Sequence, residues 1–156
     1  MTNNETEQFR DELQRAWDGD CWHGPPLKEV LNGITAETAA KKHPQLTHTI
    51  WGLVNHLAVW VEVVRLRIDR KEALLEPDQG NFPPVTDPSP AAWETAIKEL
   101  GEQVDLLRDF LKALTPARLD ETVAGKDYPV AVMLHGTAQH FAYHAGQIAF
   151  LKRLVG

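Results

Sequence analysis

A chain of 156 residues with 43% hydrophobic and 24% charged residues has the length and composition of one globular domain, expected to span residues 1–156. Its formal charge is −6, and the 16 Lys and Arg are scattered among 22 acids, which excludes a general nucleic-acid or anionic-membrane surface because either needs clustered cations. Cys21 is the single cysteine, so no internal disulfide forms. The opening MTNNETEQFRDEL has no apolar run to serve as a leader and no stretch is long and apolar enough to span a bilayer, so a soluble cytoplasmic protein is expected.

Four segments carry helical periodicity and almost nothing reads as strand. The first, about residues 5–18, places Phe9, Leu13 and Trp17 at four-residue steps on one face, and Gly19 ends it. Residues 20–48 hold Pro25, Pro26 and Pro44, which allow only short helical pieces; Pro26 can open one. A long helix starts near Thr47 or Thr49 and runs to about Lys71, since TIWGLVNHLAVWVEVVRLRI holds no proline. Residues 76–90 contain five prolines and one glycine and predict an extended linker able to span a bundle.

The third long helix, about Pro90–Leu114, sets Trp93, Ile97, Leu100, Val104, Leu107, Leu111 and Leu114 in alternating steps of three and four, the pattern of a bundle seam. The fourth, about Val130–Leu154, carries Leu134, Thr137, Phe141, His144, Ile148, Leu151 and Val155 on its seam. Long connections on both sides of the third helix let it run parallel to the second, which predicts an all-α, up-down-down-up four-helix bundle.

His140 and His144 stand four apart on the last helix, with Cβ atoms about 6 Å apart, a spacing suited to one metal ion. His144 is a seam position, where an imidazole needs a partner or a metal to offset its desolvation. His56 lies in the row Leu53, His56, Trp60, Val63 of the second long helix, which also faces inward, so three imidazoles can meet across the bundle. The alternative is a set of core histidines hydrogen-bonded to neighbours. A three-histidine site leaves a coordination position for water or substrate, as in a reactive rather than a closed structural site.

The same segment limits the chemistry. In HFAYH, Phe141 stands where a zincin places its catalytic glutamate, and no Glu-x-x-His pairs of a di-iron bundle occur, so a mononuclear site is favoured. Gln147 is placed to reach a metal-bound water or to orient His140. Tyr143 is a candidate donor to a substrate or a packing residue, and Trp60 and His23 are candidate pocket residues, His23 at a pocket mouth. His135, about 140° around the helix from His140, is expected to cap or face a loop; His43 and His48 are expected in solvated or capping roles. Gly146 in mid-helix predicts close approach of another helix.

TIWGLVNHLAVWVE together with HGTAQHFAYHAGQIAFLKR resembles the DinB/YfiT-like superfamily of bacterial metal-dependent proteins, and WHGPPLKEVLNGIT is similar to the start of one of its branches. The resemblance covers most of the chain in the right order. It implies an up-down-down-up four-helix bundle, one zinc or nickel ion held by His56, His140 and His144, and frequent homodimers. It also implies a range of activities, from S-transferases that use bacillithiol or mycothiol as cosubstrate to isomerases and proteins without a known reaction, so fold alone does not name the function. A metal-dependent thiol S-transferase acting on small electrophiles leads, with a low-molecular-weight thiol cosubstrate that suits a chain with only Cys21. A metal-dependent hydrolase and a non-catalytic metal-binding, dimerising or sensing module are the alternatives.

Overall fold

The computed structural model describes residues 4–73, 77 and 80–156, so positions 76, 78 and 79 of the expected linker lie outside the described residues. Its elements are helices α1 (Asn4–Asp18), α2 (Leu27–Leu31), α3 (Ala36–Ala40), α4 (Ile50–Arg70), α5 (Pro90–Ala113) and α6 (Val130–Val155), with a 3₁₀ turn at Pro116–Asp120. The only extended pairings among the described residues are isolated bridges, Cys21 with Gly24 and Thr122 with Pro129.

The helix boundaries have local causes. The Thr49 hydroxyl accepts from Gly52 N–H at 3.0 Å and starts α4, and the Ser89 hydroxyl accepts from Ala92 N–H at 3.2 Å and starts α5, with Pro90 in the first helical position where its missing N–H costs nothing. Pro26 precedes α2 and Pro129 precedes α6 in extended conformation. Lys71 ends α4 in the left-handed region at φ 55°, and the Arg118 guanidinium donates to the carbonyl of Ile68, one of the acceptors that the helix end leaves open.

The seam residues expected from periodicity are buried except Ile97, which is half-buried, as is Trp60 in the inward row of α4. Phe9, Leu13 and Trp17 of α1 meet Trp93, Leu100, Val104, Leu107 and Leu111 of α5, and Leu134, Phe141, Ile148, Leu151 and Val155 of α6, in a core to which α2, α3 and α4 also contribute. Burial of each large aliphatic side chain contributes about 1.5–3 kcal/mol, which makes this core the main source of stability. α1 packs on α5 and α6, and α4 packs on α5 and α6. Phe9 meets His135 and Trp17 meets Phe141; Arg10 donates to the carbonyl of Arg108, and Trp17 lies over Gly101; Trp51 packs on Trp93. The short helices are tied in by polar contacts, with Trp93 Nε1–H donating to Ile34 O at 2.7 Å and Lys152 donating to the carbonyls of Val30 and Asn32. No helix is long and apolar enough to cross a membrane among the described residues.

Candidate metal centre

α4 and α6 cross so that His56 faces His140 and His144. His140 Nε2 lies 3.0 Å from His56 Nε2 and 2.8 Å from His144 Nε2, and the three rings meet edge to face with centroids 4.5–4.9 Å apart. His56 and His144 are buried and His140 is half-buried. Among the described residues this is the one group of three or more His, Cys, Asp or Glu whose ligand atoms converge.

The outer nitrogens fix which way the lone pairs point. His56 Nδ1–H donates to the carbonyl of Asn81 at 2.8 Å, and His144 Nδ1–H donates to Gln147 Oε1 at 2.6 Å. A carbonyl oxygen only accepts, so both histidines carry their proton on Nδ1 and turn a bare Nε2 toward His140. One proton on His140 Nε2 satisfies one of those neighbours and leaves lone pairs opposed at the other. A cation between the three nitrogens satisfies all of them. The two separations to His140, 2.8 and 3.0 Å, lie within about half an ångström of the roughly 3.3 Å separation in a tetrahedral site with metal–nitrogen bonds of about 2.0–2.1 Å, and the three ligand atoms all lie within 4.8 Å of one another. The donor set therefore fits a borderline divalent ion such as zinc or nickel.

The electrostatics agree with that donor set. Burial pushes the His140 pKa down to about 4, with His144 and His56 adding to the effect. Burial also lowers the pKa of His56 and of His144, partly offset by their hydrogen bonds to Asn81 and Gln147. All three imidazoles are thus held neutral near pH 7, the form that ligates metal.

The Pro-rich segment does more than span the bundle. Asn81 uses its backbone carbonyl for His56 and its side-chain Oδ1 for Trp60 Nε1–H at 2.6 Å, and the carbonyl of Pro83 accepts from Asn55 Nδ2 at 3.3 Å. Phe82 is sandwiched between two imidazoles, His56 at 4.3 Å and His48 at 3.7 Å between centroids, with interplanar angles of 11° and 9°. His48 is therefore half-buried in an aromatic stack, not in the solvated or capping role expected for it. The sequence marks Asn81 and Phe82 only as one asparagine and one phenylalanine between prolines, a pattern that any loop can show.

Other candidates fall on either side. Gln147 orients His144 rather than His140. Tyr143 is largely exposed and touches His144 edge-on at 5.1 Å, while Trp60 lines a cavity of about 310 Å³ that reaches His140. A second cavity, about 540 Å³, lies on the Gln147 side and is lined by His48, Gly146 and Phe150 among others. Gly146 does not admit another of the described helices, since an added Cβ would meet no described residue within 4 Å; it opens onto that cavity instead.

His23 is exposed and lines a shallow depression with Cys21 and Trp22 on the α1 side of α6, apart from the histidine cluster. His135 does not cap a helix or face a loop: its Nδ1 lies 2.7 Å from Glu12 Oε2 and its ring packs on Phe9 of α1. His43 Nδ1 accepts from Gln45 N–H in the turn before α4, a local backbone bond and not a helix cap. The Cys21 thiol donates to the carbonyl of Arg15, and burial pushes its pKa up, which makes it a poor nucleophile. A depression of about 1100 Å³ around Lys28, Glu37 and Trp93 holds none of the three histidines.

Comparison with curated proteins and with solved structures finds no match to this chain. A family model does match, over residues 26–148, a span that includes His56, Asn81, His140, His144 and Gln147, and by that match the chain belongs to the DinB superfamily.

Proposed function

We infer that the protein is a mononuclear metal enzyme in which His56, His140 and His144 hold one zinc or nickel ion, and that it transfers a small thiol to a small electrophilic substrate. The observation that carries this is the pair of Nδ1–H donations, to Asn81 O and Gln147 Oε1, which aim two bare Nε2 atoms at the third imidazole. Such an ion lowers the pKa of a bound thiol or water and presents it near neutral pH.

The chain's own residues favour the thiol. Phe141, fully buried against Trp17, occupies the position from which a zincin glutamate would take a proton from water. Glu62 lies six positions from His56, about 120° off its face, and is not placed to replace it. Asn81 and Gln147 keep the ligand imidazoles in one tautomer, and Phe82 holds His56 by stacking. Cys21 does not compete, since it lies at the end of α1 beside Arg15.

The scaffold for this site is one domain, an up-down-down-up bundle in the cytoplasm that pairs into a homodimer. Contacts early and late in each helix support the order: Phe9 with His135 and Trp17 with Phe141 run α1 and α6 alike, Arg10 with Arg108 and Trp17 with Gly101 oppose α1 and α5, and Trp51 with Trp93 begins a parallel α4 and α5.

The test is to incubate metal-loaded protein with a model electrophile and cysteine, bacillithiol or mycothiol, alongside esters, amides and lactones without thiol. Metal-dependent consumption of thiol and electrophile together is expected. Turnover of the second set alone would make the protein a hydrolase, and turnover of neither would leave a binding module.

A further inference from the structure

Two of the three ligand imidazoles rest on side chains that reach the wall of the 540 Å³ cavity between the C-terminal half of α6 and the start of α4. Gln147, which accepts from His144 Nδ1–H, lines it. So does His48, which stacks on Phe82 at 3.7 Å between centroids, as Phe82 stacks on His56 at 4.3 Å. The volume falls within the range for small-molecule sites, about 300–1,000 Å³. Leu46, Leu53, Leu151 and Leu154 stand in the walls, and no Asp, Glu, Lys or Arg borders the cavity among the described residues. A charged ligand would lose hydration there with no opposite charge to replace it, so the cavity suits a neutral, apolar molecule. Phe150 and Leu154 are exposed, which leaves the cavity open for entry.

One polar group in this wall is tied to the metal centre. Gln147 Oε1 is committed to His144, and the carboxamide keeps two Nε2–H donors that bond to no described residue. A ligand carbonyl accepting from Nε2 would hold the carboxamide with Oε1 toward His144. Turned over, the same carboxamide would present N–H to His144 Nδ1, and the imidazole proton would move to Nε2, where a lone pair is needed for the metal. A ligand with an acceptor therefore favours the metal-binding tautomer, and the metal in turn favours the ligand. Gly146 leaves room for it, since an added Cβ there would meet no described residue within 4 Å.

We propose that this cavity is a second small-molecule site, which takes a neutral apolar compound with a carbonyl acceptor, bound on Gln147 and coupled through it to the metal at His144. The coupling rests on the metal-centred function above; the binding does not, and is read on chelator-treated protein. The full-length chain in chelator is titrated calorimetrically with 4-phenylbutan-2-one and with 3-phenylpropionate, which sets a carboxylate in place of the ketone on the same body. The ketone is expected to bind about tenfold or more tighter. Gly146→Leu, which puts a side chain into the cavity, should weaken the ketone about tenfold or more, while Gly136→Leu, the same change on the same helix at the 310 Å³ cavity, should leave it within about twofold. Zinc affinity, measured by competition with a chromophoric chelator, should rise about fivefold or more with saturating ketone and stay level with propylbenzene, which lacks the acceptor.

No binding of the ketone, a carboxylate that binds as tightly, no loss in Gly146→Leu, or an equal loss in Gly136→Leu would each overturn the site, and zinc affinity unmoved by the ketone would overturn the coupling. Should Gly146→Leu fail to fold, the ratio of ketone to carboxylate in the wild type decides. A chain that takes up no metal yet binds the ketone with these ratios would defeat the metal-centred function and leave the cavity site standing; a metal-loaded chain that does not bind the ketone would do the reverse.

Discussion

His56, His140 and His144 were readable as one group because their positions repeat with the helix, and a buried imidazole on a seam needs a partner. The atoms that orient them were only partly readable. Gln147 shares a helix with its partner, three residues away, so spacing pointed to it; Asn81 acts mainly through its backbone carbonyl, which every residue has, and no residue type in the linker announces that bond. Gln147→Ala should weaken metal binding about 10–100-fold by releasing the His144 tautomer, measured by competition with a chromophoric chelator, while Gln147→Glu, which keeps an acceptor at the same place, should retain it. His144→Ala should remove most of the metal. His135→Ala should not, since its partners are Glu12 and Phe9; equal losses in the two would mean the ligand set is different.

Among elements, the long helices were legible from their periodicity to within a few residues: α4, α5 and α6 begin at Ile50, Pro90 and Val130, against starts expected near Thr47 or Thr49, Pro90 and Val130. What could not be read was how the linker settles, because its contacts with α4 join positions about 25 residues apart through a carbonyl and a ring stack. α6 carries a second feature that periodicity shows only once burial is known. Its inner seam is buried, yet Val132, Tyr143, Phe150 and Leu154 are exposed and fall on one opposite stripe, bordered by Gly136 and Gly146, where an added Cβ would meet no described residue within 4 Å. A second copy of α6 would cover that stripe, with the glycines allowing close approach. Sedimentation should therefore find a dimer, and Phe150→Glu should shift it to monomer without loss of bound metal. A wild type that stays monomeric at high concentration would place the dimer elsewhere or nowhere.

At the scale of the whole molecule the question is whether the metal or the apolar core holds the fold. The core runs through α1, α5 and α6 well beyond the histidine layer, so chelated protein should keep its helical circular dichroism at room temperature and melt lower, by an amount that grows with metal affinity as RT ln(1 + [L]/Kd). The chelated protein should also depend on pH in a definite direction. His140 titrates at about 4 in the fold against an ordinary value of 6.5, because burial and its two neighbours disfavour the charged ring. The unfolded chain therefore takes up protons first as pH falls, so the stability held by the neutral ring is complete above about 6.5 and drains away on the way down to about 4, and His56 and His144 shift in the same direction. Melting temperature in chelator should be nearly level from pH 7 to 8 and should drop from about 6.5 downward. His140→Leu should flatten that slope, since it removes the ring that burial and its two neighbours hold down at about 4. Collapse of the helices on chelation at pH 7 would instead make the ion structural, and the case for an open, reactive site would weaken with it.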